Sequence, residues 1–310
     1  MKLGLSSYSF RPLMENGSMQ IEDVFAWLEA HGAEHLEIAT LSVAPPGADM
    51  SYELRDDAEM LGRIRAASGK TGIPVSGICI GANFIGTDPA DRRAQIDRVK
   101  GYVDLCSDME VGFLRHDVVH WGNRSADTPE FEREFAGIAE ACHEIASHAH
   151  SRGVTTSVED HGFFMNSSER IKRLLHAVGL PSFKLTVDVG NFLCVDEDPL
   201  MGTRASIAHA SFVHFKDFYV RRNEPGPGWL KTYGGQFIRG SVFGYGDLET
   251  HAIAEAVVAS GYDGFVSLEY EGNEPTLFGC ETGLNNIRRI LAEVKRQDDL
   301  RRRPAGRRAP

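Results

Sequence analysis

The stretch VTTSVEDHGFFMNSSERIKRLLHAVGLPSFKLTVDVGN, residues 154–191, decides the fold. It begins with a short apolar run at 154–158, continues through a segment of helical pattern at 168–178, and ends in a second apolar run at 183–187. Short runs that are apolar on both faces predict strands that are covered on both sides. A helix between two such strands is typical of a parallel βαβ unit. The stretch therefore predicts one strand–helix–strand unit.

The same alternation extends in both directions along the chain. Six more apolar runs predict strands, at 2–7, 35–39, 73–80, 111–115, 212–215 and 264–268. The other helices are predicted at about 21–31, 52–71, 89–105, 129–151, 199–208, 248–260 and 277–297. Thr128 and Pro129 look like the N-cap and first turn of the helix at 129–151. Eight strand–helix units of this kind predict an α/β fold, a single (β/α)₈ TIM barrel that covers residues 1–297.

A doubly wound parallel sheet is the alternative architecture. It normally has fewer units and a glycine-rich phosphate loop after its first strand. The first predicted strand is instead followed by Ser6-Ser7-Tyr8-Ser9. The barrel is therefore the predicted fold.

Two segments depart from the regular pattern. Residues 218–247 form a long loop after strand seven that is rich in glycine and proline. Its aromatic residues predict an ordered lid, because long loops in compact domains usually carry function. These residues are Trp229, Tyr233, Phe237 and Phe243. The arginine-rich segment 298–310 contains few apolar residues and predicts a flexible basic C-terminal tail.

Composition excludes several classes of protein. The 310 residues contain 33 Lys and Arg against 44 Asp and Glu, a net charge of −11, which disfavours a nucleic-acid partner. No apolar run reaches the roughly 18 residues of a membrane span, and the N-terminus lacks an apolar signal-peptide core. The five cysteines are irregularly spaced, which predicts free thiols rather than disulfides. We expect a cytoplasmic protein with no membrane partner.

Four consecutive strands are followed or ended by an acid or a histidine: Glu159, Asp188, His214 and Glu269. Catalytic groups of such barrels lie at the carboxyl ends of the strands, so the four side chains are expected to meet at one side of the barrel mouth. Three carboxylates in proximity repel one another unless a cation neutralises them. Three oxygen ligands and an imidazole suit one divalent ion, Mn²⁺, Mg²⁺, Fe²⁺, Co²⁺ or Zn²⁺. The alternative is that each is a solvated residue or a salt-bridge partner.

Other polar residues near the strand ends are candidates for contact with a substrate. His116 is a candidate catalytic group, because histidine carries protons near neutral pH. Glu37 is a candidate to bind a hydroxyl or to form a plain salt bridge. Lys216 is a candidate to orient His214 or to bind substrate oxygens, and Arg239 in the long loop is a candidate clamp for a carbonyl or an anionic group. His161, which follows strand five, is a further candidate for substrate binding.

Through these residues, the chain resembles the sugar phosphate isomerase/epimerase superfamily, the xylose-isomerase-like TIM barrels, over about residues 1–295. The resemblance is carried by Glu159, by D-x-G-N at 188–191, by H-x-K-D at 214–217 and by Glu269. LGLSSYSF at the start and GYGD at 244–247 are also similar to signatures of this family. The resemblance implies that Glu159, Asp188, His214 and Glu269 hold the metal, with manganese the expected ion. It also implies that the two glutamates move protons.

One position departs from the family pattern. Many members have D-x-x-H after strand six, with the histidine bound to a substrate oxygen, and this chain has Asn191 there. Asparagine can donate or accept a hydrogen bond but does not act as an acid near neutral pH. We therefore expect Asn191 to bind substrate rather than to transfer a proton.

The function that this resemblance implies is a metal-dependent isomerase or epimerase of a sugar or keto-sugar. The expected chemistry is removal of the proton next to a carbonyl through a metal-stabilised enediolate. One alternative is a lyase that uses the same enediolate. It would be an inosose-type dehydratase, or the α-subunit of a C-glycoside deglycosidase that acts on 3-keto-glycosides with a small partner subunit. A second alternative is a non-catalytic carbohydrate-binding barrel. The resemblance is compatible with a homo-oligomer.

Overall fold

Eight parallel strands form a closed barrel in the computed structural model, which describes residues 1–48, 52–86 and 88–302. The barrel strands are β1 (Lys2–Ser6), β2 (Leu36–Ala39), β3 (Val75–Ile80), β4 (Phe113–His116), β5 (Thr155–Glu159), β6 (Phe183–Asp188), β7 (Ala210–Phe215) and β11 (Phe265–Leu268). Each barrel strand pairs with the next barrel strand along the chain, and β1 closes the ring by pairing with β11. The predicted (β/α)₈ fold is confirmed.

Helices follow the strands and cover the outside of the barrel. They are α1 (Arg11–Glu15), α2 (Ile21–Ala30), α3 (Thr40–Val43), α4 (Ala58–Thr71), α5 (Pro89–Asp108), α6 (Thr128–Ser151), α7 (Ser168–Val178), α8 (Pro199–Ser206), α9 (Thr250–Ala259) and α10 (Thr276–Arg302). The N-cap of α6 is Asp127, one residue before the predicted Thr128, and its carboxylate accepts a hydrogen bond from the N–H of Glu130. A carboxylate satisfies the free N–H groups of the first turn and suits the positive end of the helix dipole.

An aromatic layer closes the barrel below its mouth. The rings of Phe113, Phe212 and Phe265 lie 5.7 to 6.1 Å apart inside the barrel. The ring of His35 packs edge-on against Phe265 at 4.8 Å. Since side chains alternate across a strand, the inward position of Phe113 also directs Arg115, two residues later, into the barrel. The polar groups of the mouth therefore rest on a closed apolar base.

The segment predicted as a long loop contains a small antiparallel sheet. Its strands are β8 (Asp217–Arg221), β9 (Leu230–Lys231) and β10 (Phe237–Ser241), in the order β8-β10-β9. Phe218 and Ile238 on this sheet pack with Phe163 and Cys194 in an apolar cluster. Glycine and proline occupy the turns between these strands. Because the segment is rich in these residues, the short strands were not predicted from the sequence. The segment is therefore ordered, as expected, but it is not a loop throughout.

The C-terminal helix is longer than predicted. It continues to Arg302, so residues 298–302 of the expected flexible tail are helical. Leucine and arginine, at positions 300–302, are good helix formers, and Pro304 lies shortly after the helix end. The rest of the expected tail, 303–310, lies outside the described residues. Within the described part of the chain, no helix is long and apolar enough to cross a membrane.

The five cysteines are all buried and unpaired, as predicted.

Candidate metal centre at the barrel mouth

Four side chains meet where β5, β6, β7 and β11 end. Glu159 and Asp188 are the last residues of β5 and β6, His214 lies opposite Asp188 in the strand register, and Glu269 directly follows β11. One ligand atom from each lies within 4.8 Å of the others. The structure therefore brings together the four residues that the sequence singles out as metal ligands. We refer to them as the quartet.

Two atoms of the quartet have no hydrogen-bond partner among the described residues, although both are buried. They are Oδ2 of Asp188 and Nδ1 of His214, which lie 3.9 Å apart. Nδ1 of His214 also lies 3.3 Å from Oε1 of Glu159. A buried polar atom without a partner costs about 1–3 kcal/mol. A divalent cation bound to these atoms would remove that cost, so the donor set fits a metal ion.

Glu37 orients the imidazole of His214. Nε2 of His214 donates a hydrogen bond to Oε2 of Glu37 at 2.7 Å, and the other oxygen of Glu37 accepts the S–H of Cys79 at 3.0 Å. This contact turns Nδ1 of His214 toward the other quartet residues. Glu37 is only 1% exposed, so it lies under the ring rather than open to a substrate hydroxyl. Of its two predicted roles, the structure favours the ion pair.

The charge of His214 is coupled to these carboxylates. Burial disfavours the imidazolium, but Glu37 and Glu159 outweigh burial and hold the pKa of His214 well above its usual range. A metal ion must displace a proton from Nδ1 in order to bind it. Metal affinity at this centre is therefore expected to fall as the pH falls.

Lys216 supplies a buried positive charge to the acidic side of the centre. Its Nζ lies 2.6 Å from Oε2 of Glu269, 3.2 Å from Oε1 of Glu271 and 3.3 Å from Oδ2 of Asp188. Burial alone would raise the pKa of Glu269, but Lys216 reverses that effect and the pKa is lowered. Burial dominates at Asp188, whose pKa is raised to about 6. Lys216 thus contacts the carboxylates of the quartet rather than His214.

Arg115 was not identified from the sequence, yet it lies in the centre. Its Nη2 contacts Oε2 of Glu159 and lies 2.9 Å from Oδ1 of Asp117. Burial would raise the pKa of Glu159, but Arg115 and His214 together hold it well below its usual range. Asn191 donates a hydrogen bond from Nδ2 to the other oxygen of Glu159 at 3.2 Å. The sequence did offer one signal for Arg115. It lies two positions after Phe113, so the two side chains lie on the same face of the strand, and an apolar Phe113 inside the barrel places Arg115 there as well.

His161 lies beside this network and is partly open to solvent. Its Nδ1 donates to Oδ1 of Asp117 at 2.9 Å, and 32% of its side chain is exposed. Burial lowers the pKa of His161, but Asp117 outweighs it and the pKa is raised. The position is consistent with a substrate contact, which stays a prediction.

Asp160 was also not identified from the sequence. Its Oδ1 accepts the backbone N–H of Asp188 at 2.9 Å, and its Oδ2 is buried without a described partner. Burial and the nearby charges of Asp188 and Glu159 raise its pKa well above the usual range. The hydrogen bond to Asp160 fixes the backbone of Asp188, and the raised pKa of Asp160 favours its uncharged form.

His116 does not face the mouth, contrary to the expectation from the sequence. It follows the inward Arg115 by one residue, so its side chain lies on the helix-facing side of β4. Its ring lies 6.0 Å from Phe84 and 6.2 Å from Phe183, and it is fully buried. Burial lowers its pKa to about 4, so the ring is neutral at physiological pH. The position does not support a catalytic role for His116.

Arg239 lies on the small sheet. Its guanidinium carbon lies 4.6 Å from the centre of the Trp229 ring and 5.8 Å from that of Tyr219. Among the described residues, no hydrogen bond or ion pair joins Arg239 to the quartet. Its role as a substrate clamp therefore stays a prediction.

Comparison with known proteins gives a family match and one curated relative. The family model described as xylose isomerase-like TIM barrel matches residues 25–291. L-ribulose-5-phosphate 3-epimerase UlaE of Shigella flexneri serotype 5b (strain 8401) is 26% identical over 203 residues. The match covers 63% of this chain and 64% of that protein, so the chain spans just under two thirds of the length of this relative.

Solved structures are similar over nearly the whole chain. D-psicose 3-epimerase from Clostridium cellulolyticum H10, crystallised with D-tagatose, has a TM-score of 0.71 at 16% identity, covering 94% of this chain and 99% of that one. A xylose isomerase-like TIM barrel protein from Mycobacterium smegmatis, in complex with magnesium, has a TM-score of 0.68 at 15% identity, covering 94% and 97%. At these identities the likeness establishes the fold.

Proposed function

The chain belongs to the xylose isomerase-like TIM barrel family, and from this we propose that it is a divalent-metal-dependent epimerase or isomerase of a sugar or keto-sugar. The observation that carries the proposal is the quartet, in which two buried ligand atoms accept or donate no hydrogen bond among the described residues and have only ion-pair contacts, with Lys216 and Glu159. The curated relative is named as a sugar-phosphate epimerase, which supports the same class of reaction.

The residues of the quartet would hold the ion. Asp188 and His214 offer the two unpartnered atoms, and Glu159 and Glu269 offer one oxygen each. Carboxylate oxygens with one imidazole suit Mn²⁺ or Mg²⁺, with Co²⁺, Fe²⁺ and Zn²⁺ as further options. When bound, such an ion polarises a carbonyl group and acidifies the C–H bond next to it.

The two glutamates are proposed to move the proton. Glu159 ends β5 and Glu269 directly follows β11, and β6 and β7 separate the two strands in the barrel. They therefore approach a sugar at the mouth from different sides. One removes the proton next to the carbonyl, and the other returns a proton on the opposite face, which inverts that carbon. Oε2 of Glu159 contacts Arg115 and Oε2 of Glu269 contacts Lys216, so these contacts must open when a sugar binds if the oxygen not used by the ion is to carry the proton. Return of the proton to the neighbouring carbon would instead interconvert an aldose and a ketose.

The surrounding residues are proposed to bind and orient the sugar. His161 is held by Asp117 and is partly open to solvent, so its Nε2 can contact a substrate oxygen. Lys216 and Asn191 lie against the quartet and can contact oxygens near the reacting carbons. The small sheet β8–β10 stands beside the mouth and would limit the access of water.

The test is turnover of a panel of keto-sugars, free and phosphorylated, by protein loaded with Mn²⁺ in D₂O. We expect an epimer or isomer that carries deuterium at the carbon next to the carbonyl. An eliminated fragment in place of an isomer would assign a lyase instead. Tight binding of sugars with no exchange of deuterium would assign a carbohydrate-binding barrel.

A further inference from the structure

Arg115 joins two buried carboxylates at the barrel mouth. Its Nη2 contacts Oε2 of Glu159 and lies 2.9 Å from Oδ1 of Asp117, and Arg115 is only 9% exposed. Asp117 is held in turn by His161. A charge pair that is removed from water is costly to break, because each partner would be left buried and unpaired. The contact therefore holds Glu159 in one position while no substrate is bound.

The two oxygens of Glu159 have different surroundings. Oε2 faces Arg115, whereas Oε1 lies 3.3 Å from Nδ1 of His214 and 3.2 Å from Nδ2 of Asn191. Only Oε1 is thus directed toward the unpartnered nitrogen of His214. The contact with Arg115 leaves Glu159 one oxygen to offer to the centre.

The other two carboxylates of the quartet follow the same pattern. Oδ1 of Asp188 accepts the backbone N–H groups of Gly190 at 2.9 Å and Asn191 at 3.1 Å, whereas Oδ2 accepts no hydrogen bond and has only the ion-pair contact with Nζ of Lys216 at 3.3 Å. Oε2 of Glu269 lies 2.6 Å from Nζ of Lys216. Each carboxylate therefore has one oxygen bound to a donor of the protein.

We infer that Arg115 is a positioning residue that restricts Glu159 to one oxygen and so makes the centre select small, six-coordinate ions over Ca²⁺. This inference rests on the metal centre of the proposed function. Ca²⁺ takes six to eight oxygens and accepts carboxylates through both oxygens, whereas Mg²⁺ requires a compact octahedron. A centre whose four residues each offer one ligand atom suits the compact octahedron better than the larger Ca²⁺ shell, which would have to be completed by more water molecules. Freeing Oε2 of Glu159 relaxes this restriction.

The test is the ratio of Mn²⁺ to Ca²⁺ affinity, measured by calorimetry on substrate-free protein. Loss of the positive charge in Arg115→Gln would strengthen binding of both ions alike, so the ratio isolates the geometric effect. Changes to residues that hold metal ligands typically alter affinity about 10–100-fold. We expect the ratio to shift toward Ca²⁺ by at least about tenfold in Arg115→Gln, and by less in Asp117→Asn, which keeps Arg115 but removes the charge of its anchor.

Arg63→Gln is the matched control, because Arg63 pairs with Glu22 in the outer helical layer. It should keep the wild-type ratio. A wild-type ratio in folded Arg115→Gln would overturn the inference while leaving the metal centre intact. If Arg115→Gln does not fold, a wild-type ratio in Asp117→Asn overturns it. A wild-type protein that binds neither ion would overturn both the metal centre and this inference.

Discussion

Nε2 of His214 lies 2.7 Å from Oε2 of Glu37, in a contact from which solvent is excluded. The two residues are 177 positions apart in the sequence and come from β7 and β2, on different sides of the barrel. The contact crosses the inside of the barrel and fixes which nitrogen of His214 faces Glu159 and Asp188. A histidine that binds a metal commonly donates its other N–H to a carboxylate in this way.

Replacement of Glu37 should therefore weaken metal binding without touching a ligand. We expect Glu37→Gln to lower Mn²⁺ affinity about 10–100-fold, because the amide keeps the shape but loses the charge that holds the imidazole. Calorimetric titration of the metal-free protein measures this. Cys79→Ser is the matched control, since it keeps a donor to the other oxygen of Glu37 and should bind the metal normally. Wild-type affinity in Glu37→Gln would show that His214 is oriented by other contacts.

The proton-transfer role of the two glutamates is tested by a second pair of variants. General acid–base groups contribute about 10²–10⁴-fold, and glutamine keeps an oxygen ligand while removing the base. We expect Glu159→Gln and Glu269→Gln each to lose at least about a hundredfold in turnover, with a smaller change in substrate binding. Deuterium exchange at the carbon next to the carbonyl should be lost in both.

Glu293→Gln on α10 is the control for these variants, because Glu293 pairs with Arg289 and His251 on the helical layer. It should keep full turnover. Exchange at the wild-type rate in both glutamine variants of the quartet would place the base elsewhere. His161 would then be the next group to test, since His116 faces away from the mouth.

Metal binding should also stabilise the fold. A ligand that binds only the native state at a hundred times its Kd adds about 2.7 kcal/mol to the free energy of unfolding. We expect Mn²⁺ to shift the denaturation midpoint of wild-type protein accordingly and EDTA to reverse the shift. The double variant Asp188→Ala, His214→Ala should show no such shift and should lose its bound metal. Retention of a full equivalent of metal by this variant would contradict the quartet.

The sequence was sufficient to predict the fold and the residues of the quartet, because both predictions depend on the same local signal. An apolar run that ends in an acid or a histidine marks a strand and its carboxyl end at once, as at Glu159 and Asp188. In a barrel all such ends meet at one mouth, so no further information about long-range contacts was needed.

The residues around the quartet could be predicted only with knowledge of the register of the strands. Arg115 and His116 are adjacent in a strand of only four residues, and a shift of one position exchanges the inward and outward side chains. The pairing of β2 with β3 is irregular between Leu36 and Glu37, so alternation alone does not place Glu37. These contacts follow from how the barrel closes, which a single sequence does not display.

Two buried histidines, His35 and His116, make the free energy of unfolding depend on pH. Because His116 does not face the mouth, a variant at this position tests the pH dependence without removing a catalytic group. Burial lowers the pKa of both His35 and His116 to about 4, whereas an unfolded histidine titrates near 6.5. As the pH falls, the unfolded chain takes up these protons first, so the stability that depends on these two histidines is lost between about pH 6.5 and 4 and their contribution changes no further below that. Each histidine should cost about 2 kcal/mol in the free energy of unfolding between pH 7 and 5.

Urea denaturation at the two pH values should show a smaller loss of stability for His116→Gln than for wild type. The turnover of this variant at pH 7 should stay within about twofold of wild type, as expected for a side chain that touches no reacting group. An NMR titration of the His116 ring near pH 6.5, or a hundredfold loss of turnover in folded His116→Gln, would contradict its placement on the helix-facing side of the strand.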